Sequence, residues 1–248
     1  MSSGIQINKF ISSTGYCSRR EADALIVAHR VMVNDDIAQA TTLVNPGDKV
    51  YVDDEILKAK KTEPIYLAFN KPEGITSTTD LKDRSNIISY INHPKRIFPI
   101  GRLDKDSEGL ILLTNDGDIV NKILRAGNRH EKEYIVHVNR AIDHSFIKAM
   151  ASGVVIDGQK TLPCKIKQEG SKRFRIILTQ GLNRQIRKMC AVLGYTVVGL
   201  QRIRIMHIRL DKLAVGKWRY LSAPEVTEMM HLLRGSSKTH EASSDVDE

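Results

Sequence analysis

One loop carries three carboxylates between two glycines: Gly101, Asp104, Asp106, Glu108 and Gly109. An apolar run, residues 110–113, follows directly. Because glycine lets backbone segments approach closely, this layout favours carboxylates held at the end of a buried strand and facing a cleft. Such carboxylates can act as a nucleophile, a base or a stabiliser of positive charge. A charged hairpin loop in solvent shows the same pattern, and the loop by itself does not favour one carboxylate over the others.

The charge of the chain is unevenly distributed. The net charge is +9 over 248 residues. Residues 1–61 hold eight Lys/Arg and eight Asp/Glu, whereas residues 62–234 hold 29 Lys/Arg against 17 Asp/Glu, a surplus of 12. This surplus indicates that the central and C-terminal body faces a polyanion such as a nucleic acid. A basic, well-solvated surface without a specific partner is the alternative.

The composition argues against several classes of protein. The three cysteines, Cys17, Cys164 and Cys190, are far apart and show no metal-binding or redox spacing, so we expect free thiols and no metal site. No run approaches the roughly 20 apolar residues of a membrane-spanning helix. The first residues lack the basic start and apolar stretch of a secretory signal. We therefore expect a protein of the cytoplasm.

The elements around the loop fall into two parts. In the first, Ser18 and Glu21 have the spacing of a capping box, which predicts a helix start, and residues 31–33 predict a strand that enters a turn at Asn34 and Asp35. The polar residues 58–64 end in a proline and predict a linker. The second part runs from residue 65 to about 234. The acidic residues 235–248 predict a disordered tail.

The second part mixes helices and strands without a regular β-α-β alternation, which indicates an α+β fold. Strand-like runs cover residues 65–69, 110–113, 133–138, 174–178 and 196–200. Helix-like stretches cover residues 118–125, 143–151, 184–193 and 224–233.

Four segments resemble the RNA pseudouridine synthases, in the branch that modifies ribosomal RNA in bacteria. Residues 101–104 (Gly-Arg-Leu-Asp) and 107–117 resemble the active-site motif of this family. Residues 70–74, 130–134 and 181–189 resemble its Asn-Lys-Pro-x-Gly, Lys-x-Tyr and basic helical motifs in the same order. The resemblance implies that Asp104 is the catalytic aspartate, that Tyr134 stacks on the uracil, and that Arg187 pairs with Asp104, with Arg184 as the second candidate.

The N-terminal part resembles the S4 RNA-binding domain through residues 8–11, 18–23 and 31–34. It departs from that pattern at two positions. The family usually has a glycine in place of His29, and it usually has Asn-Gly where this chain has Asn34-Asp35. We expect Asp35 to accept a positive φ more easily than His29. The implied architecture is a small N-terminal S4-like RNA-binding domain (1–61) followed by a pseudouridine synthase catalytic domain (65–234). The catalytic domain would have a central, mostly antiparallel mixed sheet flanked by helices.

Residues 96–104, 122–128 and 130–134 most closely resemble enzymes of the F type, which act on 23S ribosomal RNA and can also act on a tRNA. This resemblance implies a monomer without a cofactor that flips its target base out of the RNA. The residues expected to contact RNA are mostly basic: Arg19, Arg20, Arg102, Lys105, Arg125, Arg129, Lys132, Asn183, Arg184, Lys188, Arg202 and Arg204. We expect Arg102 to fill the space that the base vacates or to hold the displaced phosphate.

Two other functions stay open on the residues alone. An RNA-binding protein without catalysis would explain the charge but not four ordered motifs around Asp104. A glycoside hydrolase could use Asp104 and Asp116 as paired carboxylates, although 5% aromatic content is low for a protein that stacks sugars.

Overall fold

The computed structural model describes residues 4–58 and 63–236, and the chain divides into two compact units, Met1–Glu63 and Pro64–Glu248. Residues 237–248 of the predicted tail and residues 59–62 of the predicted linker lie outside the described residues. Within the described ranges, no helix combines the length and apolar character that a membrane crossing needs.

The first unit packs two helices against a small antiparallel sheet. Its elements are β1 (Ile5–Gln6), α1 (Ile7–Ser13), α2 (Arg19–Val27), β2 (Val31–Val33), β3 (Asp36–Ile37), β4 (Leu43–Val44), β5 (Val50–Val52) and β6 (Glu55–Ile56). The main sheet has the order β3-β2-β5-β6, and β1 pairs with β4. Ile7 and Ile11 of α1 and Ala22 and Ile26 of α2 form the core with Val31 and its neighbours in the sheet.

Local sequence signals explain the helix start and turn of this unit. The hydroxyl of Ser18 accepts a hydrogen bond from the Glu21 amide at 3.2 Å, and the Ser18 amide donates to the Glu21 carboxylate at 2.7 Å. This confirms the capping box. In the turn after β2, Asn34 rather than Asp35 has the positive φ, at 55°, and His29 also has a positive φ of 56°. Asn34 accepts a hydrogen bond from the Lys49 amide, so its side chain holds the turn.

The second unit is built on a nine-stranded sheet. Its elements are β7 (Tyr66–Lys71), α3 (Ile87–Ile91), β8 (Phe98–Ile100), β9 (Glu108–Thr114), α4 (Gly117–Leu124), a 3-10 turn (Ala126–Asn128), β10 (Lys132–Val138), α5 (His144–Ser152), β11 (Val155–Ile156), β12 (Gln159–Lys160), β13 (Lys165–Gly170), β14 (Arg173–Leu178), α6 (Gln185–Val192), β15 (Val197–Ile205), β16 (Ile208–Arg209), β17 (Trp218–Tyr220) and α7 (Ala223–Leu232).

The strand order is β13-β14-β10-β15-β9-β7-β17, with β16 added to β15 and β8 to β9. The pairing of β15 with β9 is parallel, and the other described pairings in this sheet are antiparallel. Helices cover both faces of β7, because Tyr66 and Ala68 pack toward α4 and α7 while Leu67 and Phe69 pack toward α3. The predicted α+β fold with a mostly antiparallel mixed sheet is confirmed.

The parallel pairing joins the two halves of the sheet next to the carboxylate loop. Gly109 at the start of β9 lies opposite Arg202 of β15. Its φ is +106°, and a Cβ added there would lie 2.3 Å from the Arg202 carbonyl oxygen. Glycine is therefore required at this position both for its conformation and for the close approach of the two strands.

Candidate active site

A pocket of about 430 Å³ opens beside the carboxylate loop within the second unit. This volume lies in the range of about 300–1,000 Å³ that is usual for small-ligand pockets. Its polar lining comes mainly from residues 100–104, from Lys132 and Tyr134 of β10, and from residues 180–187, which lead into α6. The rest of the lining is mostly apolar: Leu112, Ile123, Leu124, Leu178, Leu200, Arg202 and Ile205. The structure therefore brings together in one pocket the three residues with predicted catalytic roles, Asp104, Tyr134 and Arg187.

The loop between β8 and β9 fixes the position of Asp104. The preceding residue, Leu103, is buried, and the Ser77 hydroxyl donates to its carbonyl at 2.8 Å and accepts from its amide at 3.2 Å. The Ser107 amide donates to the Asp104 carbonyl at 3.1 Å. The backbone is thus held on both sides of the carboxylate, whose side chain stays about one-third exposed (33%).

Arg184, and not Arg187, contacts the Asp104 carboxylate. The Arg184 Nη1 lies 3.6 Å from Asp104 Oδ2, and the same guanidinium donates two hydrogen bonds to Asp106 at 3.0 and 2.7 Å. Arg187 lies one turn further along α6, where it donates to the Asp106 carbonyl at 2.6 Å and to the Ser107 hydroxyl at 3.1 Å. The predicted pairing of Arg187 with Asp104 is therefore corrected, because Arg187 reaches the backbone behind Asp104 instead.

The position of Arg184 depends on its backbone conformation. It is the N-cap of α6 with a φ of 49°, which is uncommon outside glycine. Its two charged hydrogen bonds lower the pKa of the Asp106 carboxyl below its ordinary value. A pair of arginines and a pair of carboxylates therefore meet at the mouth of the pocket.

Tyr134 forms part of the pocket wall. Its ring is 9% exposed and lies on β10, opposite Ile176 of β14 and Arg202 of β15. Leu178 and Leu200 line the pocket beside it. A flat ring flanked by apolar side chains is suited to pack against a planar base. The stacking of Tyr134 on the uracil stays a prediction.

Three of the residues that we predicted to contact RNA have mostly buried side chains. Lys132 and Arg202 are 7% and 4% exposed. Arg202 donates through Nε to the Leu110 carbonyl at 2.6 Å and through Nη1 to the Arg102 carbonyl at 3.4 Å. Arg204 pairs with Glu133 at 2.5 Å and with Glu131 at 2.9 Å. Lys132 and Arg202 nevertheless line the pocket, so their contact with RNA stays a prediction. The contact predicted for Arg204 is corrected, since two carboxylates already hold its guanidinium.

The remaining predicted RNA contacts are at least partly accessible. Seven are exposed: Arg19, Arg20, Arg102, Lys105, Arg129, Asn183 and Arg184. Arg125 is partly exposed, and Lys188 is partly exposed and paired with Asp157. Arg102 and Asn183 line the pocket with Arg184. Arg19 and Arg20 belong to α2 of the first unit. Their contacts with RNA stay predictions.

Two buried side chains support the site in ways that sequence reasoning did not foresee. Lys71 is fully buried at the end of β7 and donates to the carbonyls of Pro72 and Ile75 at 2.8 and 2.9 Å. Burial lowers the pKa of its ammonium to about 8. The Asn-Lys-Pro motif pointed to this segment but not to the role of Lys71. Ser77 belongs to none of the motifs, so nothing in the sequence indicated its contact with Leu103.

The stability of the protein should rise at alkaline pH partly through Lys132. Burial lowers the pKa of its ammonium to about 8, so between about pH 8 and pH 10.4 the folded protein binds fewer protons than the unfolded chain. The free energy of unfolding therefore increases over this window. In Lys132→Met we expect a smaller rise, by up to about 3 kcal/mol.

Urea unfolding at about pH 7.5 and about pH 10 measures this rise. Lys71 remains in the variant, so part of the rise should persist. Exposed Lys148→Met is the matched control and should keep the wild-type rise. An unchanged rise in Lys132→Met would contradict the prediction.

Asp116 does not form a catalytic pair with Asp104. It caps α4 by accepting from the Asp118 amide at 2.9 Å, and it accepts from the Tyr66 hydroxyl at 3.0 Å. It is absent from the residues that line the pocket. This structural role argues against the glycoside hydrolase hypothesis. Among the described residues, no group of three His, Cys, Asp or Glu side chains is arranged to hold a metal ion.

Comparisons with known proteins identify the family of the chain. The family model for RNA pseudouridylate synthase matches residues 65–192, and the S4 domain model matches residues 7–50. The chain is 50% identical over 236 residues to the dual-specificity RNA pseudouridine synthase RluF of Escherichia coli K12, covering 95% of this chain and 81% of that protein. It is 32% identical over 236 residues to the ribosomal large subunit pseudouridine synthase B of Bacillus subtilis, covering 92% and 96%.

A solved structure shows the same architecture. The crystal structure of a pseudouridylate synthase superimposes with a TM-score of 0.67 at 28% identity and covers 92% of this chain and 99% of that one. The sequence relatives and this structure support catalysis over RNA binding alone. The chain belongs to the RNA pseudouridine synthases, with an S4 domain in front of the catalytic domain.

Proposed function

We propose that this protein isomerises a uridine of 23S ribosomal RNA, and also a uridine of a tRNA, with Asp104 as the catalytic carboxylate. The observation that carries the proposal is the pocket in which the Asp104 carboxylate, the Tyr134 ring and the Arg184 guanidinium converge. The relatives named for dual specificity and for the large ribosomal subunit support the choice of substrates. We infer that this protein acts in the cytoplasm, where these RNAs are made, and as a monomer.

The reaction breaks the N1–C1′ bond of uridine, turns the uracil, and joins its C5 to C1′; C5 loses its proton and N1 gains one, so the product is an isomer of uridine. Asp104 acts at the ribose, as a nucleophile or as a base. Its carboxylate faces the pocket while the loop backbone is anchored on both sides, so the charge is held in place. Arg184 places a positive charge 3.6 Å from this carboxylate.

The target base must leave the RNA helix to reach this pocket. Flipping costs a few kcal/mol, and less where the nucleotide already lies in a loop or bulge. Tyr134 then stacks on the uracil within the wall formed with Leu178 and Leu200. Arg102 is exposed at the rim of the pocket, where its side chain can fill the vacated space or hold the phosphate.

Tritium release from RNA labelled at uridine C5 tests the substrate assignment. We expect the wild-type protein to release tritium from a 23S ribosomal RNA transcript and from total tRNA, in amounts that correspond to one or a few uridines per molecule. A 16S ribosomal RNA transcript serves as the control RNA. Release from 23S RNA but not from tRNA would disprove dual specificity. Release from neither, with the 16S transcript as the better substrate, would overturn the proposed substrates.

A further inference from the structure

Asp106 of the carboxylate loop binds Arg184 and Arg187, two arginines at the start of α6 that line the pocket. It accepts two hydrogen bonds from Arg184, at 3.0 and 2.7 Å, and its Oδ2 lies 3.4 Å from Arg187 Nε. By comparison, Asp104 has a single contact of 3.6 Å with Arg184. In the free protein the guanidinium groups are therefore engaged mainly by the neighbour of the proposed catalytic residue.

The arrangement of these groups is open to an incoming anion. The Asp106 side chain is 49% exposed, the Arg184 side chain 41% and the Arg187 side chain 15%, so the carboxylate is the most solvent-accessible of the three groups. A guanidinium presents parallel N–H groups that suit the oxygens of a phosphate as well as those of a carboxylate. A phosphate that approached from solvent would meet Asp106 first and would compete for the same N–H groups.

The Asp106 side chain can leave without movement of the loop. Arg187 holds the Asp106 backbone separately, through a hydrogen bond of 2.6 Å from Nη2 to its carbonyl, and a second one of 3.1 Å to the Ser107 hydroxyl. Rotation of the carboxylate away from the arginines would therefore preserve the backbone that positions Asp104.

One N–H donor of Arg187 lacks a hydrogen-bond acceptor. Arg187 Nε is buried and has no hydrogen-bond partner among the described groups, since Asp106 Oδ2 approaches only to 3.4 Å. A buried donor without a partner is costly. The tetrahedral oxygens of a phosphate could accept hydrogen bonds from this N–H and from both Arg184 N–H groups at once. The Asp106 carboxylate bonds the Arg184 groups but leaves the Arg187 N–H without a hydrogen bond.

We propose that Arg184 and Arg187 form a binding site for one backbone phosphate of the RNA, and that Asp106 occupies this site until the RNA displaces it. The inference rests on the proposed function in so far as the ligand is RNA, and it assigns to Asp106 the role of a competing internal anion. It also couples binding to the active site, because Arg184 exchanges Asp106 for phosphate while it keeps its contact with Asp104.

The alternative is a permanent clamp in which Asp106 holds the two arginines in place for catalysis. The two roles predict opposite changes in affinity. Loss of a competing anion strengthens RNA binding, because the two arginines are then free for phosphate at all times instead of only when Asp106 has moved away. Loss of a clamp weakens RNA binding and lowers the turnover number together.

Asp106→Asn tests the proposal by fluorescence anisotropy with a labelled RNA hairpin, titrated at several salt concentrations. If the closed contact is populated about nine-tenths of the time, we expect a dissociation constant about tenfold lower than that of the wild type. The matched control is Glu228→Gln, which also removes one negative charge, at an exposed position of α7 that does not line the pocket.

The control separates a specific effect from a general gain of charge. We expect Glu228→Gln to tighten binding much less than Asp106→Asn. Equal affinities of the two variants, or weaker binding by Asp106→Asn than by the wild type, would overturn the proposal. If melting curves show that Asp106→Asn is unfolded, Asp106→Ser is the second variant, with the same expected direction. Because a phosphate site is independent of sequence, the shift should appear with any structured RNA that the protein binds, whether or not 23S RNA is the substrate.

Discussion

Asp104→Asn should reduce tritium release from uridine-labelled RNA by on the order of 10³-fold or more, because the amide cannot act as a nucleophile or a base at the ribose. The substitution keeps the size of the side chain, and the Asp104 backbone stays anchored by Ser77 through Leu103 and by Ser107. We therefore expect a protein with the wild-type melting temperature. RNA binding should be retained or strengthened, because a negative charge is removed beside the RNA.

The matched control is Asp35→Asn, the same change at an exposed aspartate of the first unit. It should release tritium at the wild-type rate. Anisotropy with the 23S-derived RNA shows whether a loss of release arises from chemistry or from binding. Substantial release by folded Asp104→Asn would rule out Asp104 as the catalytic carboxylate and would leave the isomerase function in place.

Gly109→Ala should destabilise the second unit by more than about 4 kcal/mol. A positive φ costs an alanine about 1–2 kcal/mol, and the added Cβ would overlap the Arg202 backbone, whose oxygen, nitrogen and carbon would lie 2.3, 2.7 and 3.0 Å away. Backbone atoms cannot move aside as a flexible side chain can. We expect the parallel pairing of β9 with β15 to separate, and urea unfolding should show a large fall in the transition midpoint.

Gly158→Ala separates the two costs. Gly158 also has a positive φ, of +79°, but an added Cβ would meet no atom within 4 Å. This control should lose only about 1 kcal/mol, the conformational share alone. Equal losses in the two variants would mean that the close approach at Arg202 contributes nothing to the effect.

The sequence predicted the elements of the second unit that have strong local signals. The predicted strand at residues 110–113 is the centre of β9 (Glu108–Thr114), and the predicted helix at 184–193 corresponds to α6 (Gln185–Val192). The strand is a short continuous apolar run, as in a strand buried on both faces, and the helix has apolar residues at helical spacing. Other elements went unrecognised, such as α3 (Ile87–Ile91), which has only five residues, and β13 (Lys165–Gly170), which is mostly polar and exposed.

The motifs located the residues of the candidate site, but not their partners. Asp104, Tyr134 and Arg187 line one pocket, as the resemblance implied. The partner of Asp104 is Arg184, and Arg202 is buried beneath the loop. Such contacts depend on how strands distant in sequence are placed against each other. A list of basic residues cannot distinguish a solvated arginine from one that supports a loop.

The parallel pairing of β9 with β15 also dictates when the site can form during synthesis. The Arg202–Leu110 bond joins residues 92 positions apart, and Arg184 lies 80 positions beyond Asp104. Contacts of such long range form late, since a long loop must close before they contribute. A nascent chain that has not yet exposed β15, which ends at Ile205, has its carboxylate loop but not the strand that supports it. Competence for chemistry therefore arrives only with nearly the whole folded length, so incomplete chains should not modify the RNA they meet.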